Sequence, residues 1–201
     1  PNASVLSAQP SFVMYQQISQ SLGLNFISVP LLPDTFALDL PAMLAAIAEH
    51  QPAIIFLAYP NNPTGNLFDT ASIRQVIAAT NGLVIVDEAY SPFANASFMG
   101  ELANYENLLV MRTVSKLGLA GIRLGVLAGS AAWLKELGKV RLPYNINTLT
   151  QIVACEMLRH GDVLTEQAGA IKLERGRLLQ ELRRVPGVTA YPSDANFILF
   201  R

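Results

Sequence analysis

The chain is short of charge. Only 14% of its 201 residues are Asp, Glu, Lys or Arg, and 14 basic against 15 acidic residues leave a net charge of −1. No basic run is present, which argues against a surface built to attract nucleic-acid phosphates. There is one cysteine, Cys155, which is expected to be buried in a helix. A single thiol excludes an internal disulfide framework and fits a reducing compartment, here expected to be the cytoplasm. No apolar stretch reaches the roughly 18 residues that a membrane-spanning helix needs. No secretory signal pattern is visible. The two histidines, His50 and His160, fall near predicted helix ends, where an imidazole complements the helix dipole, so neither is a catalytic candidate. An initiator Met is also missing, and the last residues, Asn196 to Arg201, read as part of a strand. The expectation is therefore a piece of a longer protein.

What the chain does have is apolar mass, 51% by residue, enough for one large domain or for one domain and part of another. Residues 53–58, 83–86 and 108–111 are continuous apolar runs without polar alternation, as expected for strands buried on both faces of a parallel sheet. Helical periodicity covers residues 40–50, with Asp39 as cap and Pro41 in the first turn. It also covers residues 70–80, capped by Asp69 or Thr70, and residues 11–22, with Ser11 as cap and Gly23 as terminator. Strand, helix and strand in alternation mean an α/β fold with helices covering the sheet. The second half changes character. Helices are predicted over 131–140, 148–159 and 163–184, followed by a strand pair over 188–191 and 197–200. The resulting division places a large domain over 1–160, a long connecting helix over 161–184 and the start of a small α+β domain over 185–201.

Three compact motifs carry the chemistry: Pro60-Asn61-Asn62-Pro63-Thr64-Gly65, Asp87-Glu88-Ala89-Tyr90 and Thr113-Val114-Ser115-Lys116. Each follows one of the apolar runs. In open α/β sheets ligands bind beyond the carboxyl ends of the strands, so Asn62, Asp87 and Lys116 are expected to face one crevice. Singly, each residue has a plainer reading. Asn62 suits a turn, Asp87 suits a helix cap, and Lys116 suits a solvated surface. Arg123 could pair with a carboxylate, and Phe12 could be an ordinary core residue. As a set they suit pyridoxal 5′-phosphate (PLP), which needs an amine for covalent attachment, an anion for its ring nitrogen and donors for its phosphate.

In order and spacing these motifs resemble the class I/II, fold-type I PLP-dependent aminotransferases. The resemblance spans the chain, from Gln9-Pro10-Ser11-Phe12-Val13-Met14-Tyr15 to Pro192-Ser193-Asp194-Ala195-Asn196-Phe197. It implies a three-layer αβα large domain with a mostly parallel sheet. The loop Leu142-Pro143-Tyr144-Asn145 and the Ser193 to Phe197 segment are similar to the histidinol-phosphate branch of that family. The resemblance also implies roles: Lys116 for the covalent link and proton transfer, Asp87 for the ring nitrogen, and Asn62 with Tyr90 for the ring hydroxyl. Thr113, Ser115 and Arg123 would take the phosphate, and Phe12 the ring face. Glu88 is expected to be structural. The implied substrates are histidinol phosphate and the glutamate/2-oxoglutarate pair, and the implied assembly is a homodimer. The Tyr144 and Asn145 loop is read either as lying near its interface and active site, as the resemblance implies, or as a plain surface turn.

Lys116 and Arg123 stand closer together than in many members, with Gly118 and Gly121 giving slack. The family's phosphate-gripping glycine loop, its partner-subunit tyrosine and its carboxylate-binding arginine have no counterpart between residues 1 and 201. The chain alone is therefore expected to hold PLP weakly and to turn over negligibly. Rival readings are an aromatic-amino-acid aminotransferase, a threonine-phosphate-type PLP decarboxylase, an aminotransferase-like sensor domain of a transcriptional regulator, and an inert fragment.

Overall fold

A computed structural model describes residues 3–201. At its centre lies a six-stranded sheet in the order β2-β1-β3-β4-β5-β6. The strands are β1 Ser4–Gln9, β2 Asn25–Pro30, β3 Ile54–Ala58, β4 Leu83–Asp87, β5 Leu108–Thr113 and β6 Gly125–Gly129. The first five run parallel, and β6 lies antiparallel beside β5. The helices are α1 Met14–Ser21, α2 Leu40–His50, α3 Thr70–Ala79, α4 Ala131–Val140, α5 Thr148–Arg159 and α6 Gly161–Leu182.

The expected strands form β3, β4 and β5, and Asp87 and Thr113 extend the last two by a residue or more. Three strands, β1, β2 and β6, carry no such apolar run. In β1, Ser4 and Ser7 interrupt the pattern, yet both are buried. The Ser7 hydroxyl donates to the Phe56 carbonyl of β3 at 2.9 Å, so a central strand tolerates a polar side chain that finds a partner. β2 is an edge strand, and it ends at Pro30, whose missing N–H costs an edge little. β6 is bounded by Gly125 and Gly129. A side chain at Gly129 would run into Leu109, so the glycine reflects close packing on β5.

Side-chain alternation divides the sheet into two faces. One face presents Leu6, Ile55, Leu57, Val84, Val86, Leu108 and Val110, all fully or nearly fully buried. Met43 and Ile47 of α2 and Ile73, Val76 and Ile77 of α3 complete that core. The opposite face carries α1, whose Tyr15 stacks flat on Phe56 of β3 at a ring distance of 4.6 Å. Helices on both faces make the αβα arrangement.

The caps behave as local chemistry dictates. Asp39 accepts from the Ala42 N–H at 3.0 Å, and Asp69 from the Ser72 N–H at 2.8 Å. Ser11 does not cap. The helix begins two residues later than expected, after Val13, and the Ser11 hydroxyl instead donates to Asn61 at 2.8 Å. Competition from a buried amide across the sheet end takes the hydroxyl away from the helix. The long helix α6 starts and stops two residues earlier than the 163–184 expectation. The strand pair near the C-terminus contracts to a bridge between Ala190 and Phe200, flanked by reciprocal backbone bonds between Thr189 and Arg201. Cys155 is exposed rather than buried, because the buried residues of α5 are Thr150 and Ala154.

Glu88 has the structural place expected of it. It is fully buried directly after β4, receives Nε–H and Nη2–H bonds from Arg112 at 2.9 and 2.8 Å, and accepts from the Phe98 N–H. Removing the cation would leave a buried charge with only neutral donors, the Phe98 N–H and the Ser97 hydroxyl. Arg112→Met should therefore destabilise the protein by about 3–5 kcal/mol, read by denaturant unfolding. A loss below about 1 kcal/mol would show that Glu88 is adequately held without its ion pair.

Candidate active site

The site grows from the end of β4. Along that strand Val84 and Val86 enter the α2/α3 core, so Asp87 must project to the α1 side. There one oxygen, Oδ1, accepts from the Ala89 N–H at 3.1 Å and the other, Oδ2, accepts from the Tyr15 hydroxyl at 2.7 Å. Asp87 is nearly fully buried, with 7% of its surface exposed. Burial pushes its carboxyl pKa upward, while the two hydrogen bonds and the Lys116 charge pull it down. Tyr15 is also buried, and burial together with the Asp87 charge holds its phenol protonated, hence a donor.

Around this carboxylate the loops converge. Asn62 follows β3, and its amide donates to the Tyr90 hydroxyl at 3.4 Å. The neighbouring Asn61 is structural. Its amide donates to the Pro10 carbonyl at 2.9 Å and to the Thr64 hydroxyl at 2.7 Å, which locks the turn that presents Asn62. Lys116 sits in a short 3₁₀ turn, Ser115–Leu117, after β5, and Gly118 closes the turn at φ +83°, a conformation glycine adopts freely. Its ammonium lies 5.0 Å from the Tyr90 ring centroid.

At the rim, the Thr113 hydroxyl donates to Ser115 Oγ at 2.8 Å and accepts from the Ser115 N–H at 3.1 Å. Arg123, in a left-handed conformation at φ +52°, points an exposed guanidinium that donates to the Ala120 carbonyl at 3.2 Å. The Thr150 hydroxyl donates to the Ile122 carbonyl at 2.9 Å and ties this loop to α5. Phe12 is partly exposed at the mouth rather than lost in the core.

These residues line one open cleft. Its inner part is bounded by Phe12, Tyr15, Asn62, Asp87, Tyr90 and Lys116. Its outer part, about 590 Å³, is bounded by Phe12, Asp87, Lys116, Thr113, Ser115 and Arg123. Every candidate from the sequence is therefore brought together. Two contributors were missed. Tyr15 closes the Gln9 to Tyr15 motif in the sequence, with no role assigned to it. The Ser193 to Phe197 segment reaches the site from far along the chain: Phe197 packs edge-on against Tyr90 at 5.1 Å, and the Asp194 N–H donates to the Gly65 carbonyl at 2.7 Å. Arg175 of α6 secures that segment, donating to the carbonyls of Ala195 and Phe93 at 2.7 and 3.2 Å.

The family model for class I and II aminotransferases matches residues 1–201. The chain belongs to the class I and II aminotransferases. It is 57% identical to histidinol-phosphate aminotransferase 2 of Nitrosococcus oceani and 56% identical to histidinol-phosphate aminotransferase 1 of Ralstonia nicotianae, each over the whole of this chain. It spans 56% and 55% of those two proteins, little more than half their length. Among solved structures it superposes on histidinol-phosphate aminotransferase from Sinorhizobium meliloti in complex with pyridoxal-5′-phosphate, with a TM-score of 0.89 and 25% identity. That match covers 99% of this chain and 55% of the other.

Family and complex indicate PLP as the cofactor, and the donor set of the cleft fits that molecule. A buried carboxylate can meet a protonated ring nitrogen, a primary amine can meet an aldehyde, and a guanidinium beside two hydroxyls can meet a phosphate. Of the aromatics, Phe12 is the partly exposed one that lines both the inner and the outer part of the cleft.

The raised pKa of Asp87 has a consequence for stability. The folded apoprotein binds this proton more tightly than the unfolded chain does. Stability therefore falls as pH rises from the ordinary carboxylate pKa through the raised one, and the deficit is complete above it. Asp87→Asn should raise the melting temperature of the full-length apoprotein at pH 7, by about 1–2 °C per kcal/mol recovered, and lose that advantage at acid pH. An apoprotein variant that melts lower at pH 7 would contradict this.

Proposed function

We propose that the full-length protein is a PLP-dependent aminotransferase acting on histidinol phosphate (or, in reverse, imidazole-acetol phosphate) with the glutamate/2-oxoglutarate pair. The reading is carried by one observation: near 57% identity, across the entire chain, to a protein of that name, with the chemistry-bearing residues gathered in one cleft. When bound, the cofactor supplies an electron sink for the negative charge left at the substrate α-carbon.

The chain's own residues would serve that chemistry as follows. Lys116 Nζ holds the cofactor covalently and, once displaced by substrate, carries a proton to and from the α-carbon. Asp87 keeps its charge for the ring nitrogen. Asn62 and Tyr90 donate to the ring hydroxyl oxygen. Thr113, Ser115 and Arg123 hold the phosphate, where each charge-assisted bond contributes about 1.5–3 kcal/mol. Phe12 covers the ring face and helps exclude water. We further read residues 1–160 as the large domain, 161–184 as its connecting helix and 185–201 as the beginning of a small domain, in a cytoplasmic enzyme.

Lys116→Ala in the full-length protein should abolish transamination of histidinol phosphate, with a loss of at least about 10²–10⁴-fold from proton transfer alone. A variant with near-normal turnover would sink the assignment. Phenylalanine and threonine phosphate, assayed alongside, test the aromatic and decarboxylase rivals. A wild-type enzyme that prefers either overturns the histidinol-phosphate reading.

A homodimer is the proposed assembly. Leu142, Tyr144, Leu149 and Ile152, close in sequence to the 143–145 loop, each expose a large apolar side chain, and clustered exposed apolar surface marks interfaces. Sedimentation of the full-length enzyme at micromolar concentration should give a dimer mass. An active species that is strictly monomeric would contradict it.

A further inference from the structure

We propose that Tyr15 is a positioning residue for the reaction: its buried hydroxyl fixes the Asp87 carboxylate in plane and keeps it anionic for the cofactor ring. The proposal rests on the reading of the cleft as a PLP site. Its starting point is an asymmetry in how Asp87 is held. Oδ1 is bound by a backbone N–H from its own turn, Ala89, at 3.1 Å. Oδ2 is bound at 2.7 Å by a side chain from a distant helix, across 72 residues of sequence. That second bond is short and runs between a phenol and a carboxylate, the type that is stronger than a neutral pair. Neither donor is mobile. Tyr15 is locked by its parallel stack on Phe56 at 4.6 Å and by an edge contact from Phe12 at 5.5 Å. Its backbone carbonyl is bound by the Ser19 hydroxyl at 2.7 Å.

The placement does two things. A carboxylate with one oxygen on each of two fixed donors cannot rotate, so its remaining lone pairs keep one direction toward the cleft. The phenol also offsets part of the cost of burying the charge. Without it, burial would push the carboxyl further toward its protonated form, which cannot attract a pyridinium. The entry to α1 thus contributes Phe12, just before the helix, to the mouth of the cleft and Tyr15, in its first turn, to the interior, and both line the inner cavity. A Tyr that was only a satisfied core residue would need some acceptor. It would not need Asp87, the carboxylate among the described residues that line the cleft.

The test uses full-length protein with Tyr15→Phe, which keeps the ring, its stack and its volume and removes one oxygen. Two readouts are independent of which substrate the enzyme prefers. In apoprotein carrying ¹³C-labelled Asp, the Asp87 carboxyl titration should move up by about 1–2 pH units, the size of one lost charge-assisted bond. In the holoenzyme, ¹⁵N-labelled PLP should show a smaller protonated fraction at its ring nitrogen, and the PLP dissociation constant should rise about tenfold. Global unfolding serves as the fold check, and 3-fluorotyrosine at position 15 serves as the opposite perturbation. It is a stronger donor of nearly the same shape, so it should move the Asp87 titration down. If Tyr15→Phe does not fold, the fluorotyrosine protein decides: a downward shift supports the proposal and no shift overturns it. A folded Tyr15→Phe protein with unchanged Asp87 titration and unchanged PLP retention also overturns it. Failure to turn over histidinol phosphate would count against the proposed substrate and leave both readouts intact.

Discussion

A carboxylate held in a nearly dry position at the end of an inner strand sets the terms for the rest of this structure. β4 lies between β3 and β5, so nothing at its carboxyl end can reach bulk water sideways. An acid placed there costs free energy unless it is bonded, and Asp87 is bonded twice. Glu88, the next residue, points the other way into an equally dry place and takes its compensation from Arg112. Two adjacent acids therefore part company by strand alternation alone. One is neutralised permanently inside the protein, and the other is left with an open side toward the cleft.

The topology explains why the cleft forms there. β1 connects to β2 in one direction, whereas β3 proceeds through β4 to β5 in the other. Crossovers of one hand then place α1 on one face and α2 and α3 on the opposite face. The loops after β1 and β3 diverge at the reversal and leave a gap at the strands' carboxyl ends. Phe12, Asn62, Asp87 and Lys116 stand around that gap. Gly65 lets a later part of the chain close over it. At φ +78° and with Ser193 against the position of a missing side chain, no other residue would fit without displacement.

Much of the site was legible because its residues follow strands that announce themselves. The runs that form β3, β4 and β5 are wholly apolar, so the polar residue directly after each could be placed at a common edge. The strands that escaped notice were those where apolarity fails for a physical reason: paired serines in β1, an open edge at β2, glycines packed against a neighbour in β6. Tyr15 escaped for a different reason. Its helical spacing describes where the side chain points and says nothing of the carboxylate that it meets. Ser11 misled because a side-chain oxygen before a helix is a cap only when no better partner competes, and Asn61 was that partner.

The sequence by itself determined the alternation of strand and helix, the order of the three motifs and the residue types that a phosphorylated aldehyde cofactor would need. Those are local properties, written in apolar runs, turn residues and caps within a few positions of one another. Only the tertiary structure decided that Tyr15 completes Asp87, that Asn61 rather than Asn62 is spent on architecture, and that Phe197 closes on Tyr90. Each of these is a contact between residues far apart in the chain. Such contacts depend on how helices and loops pack across the sheet, which no local pattern encodes.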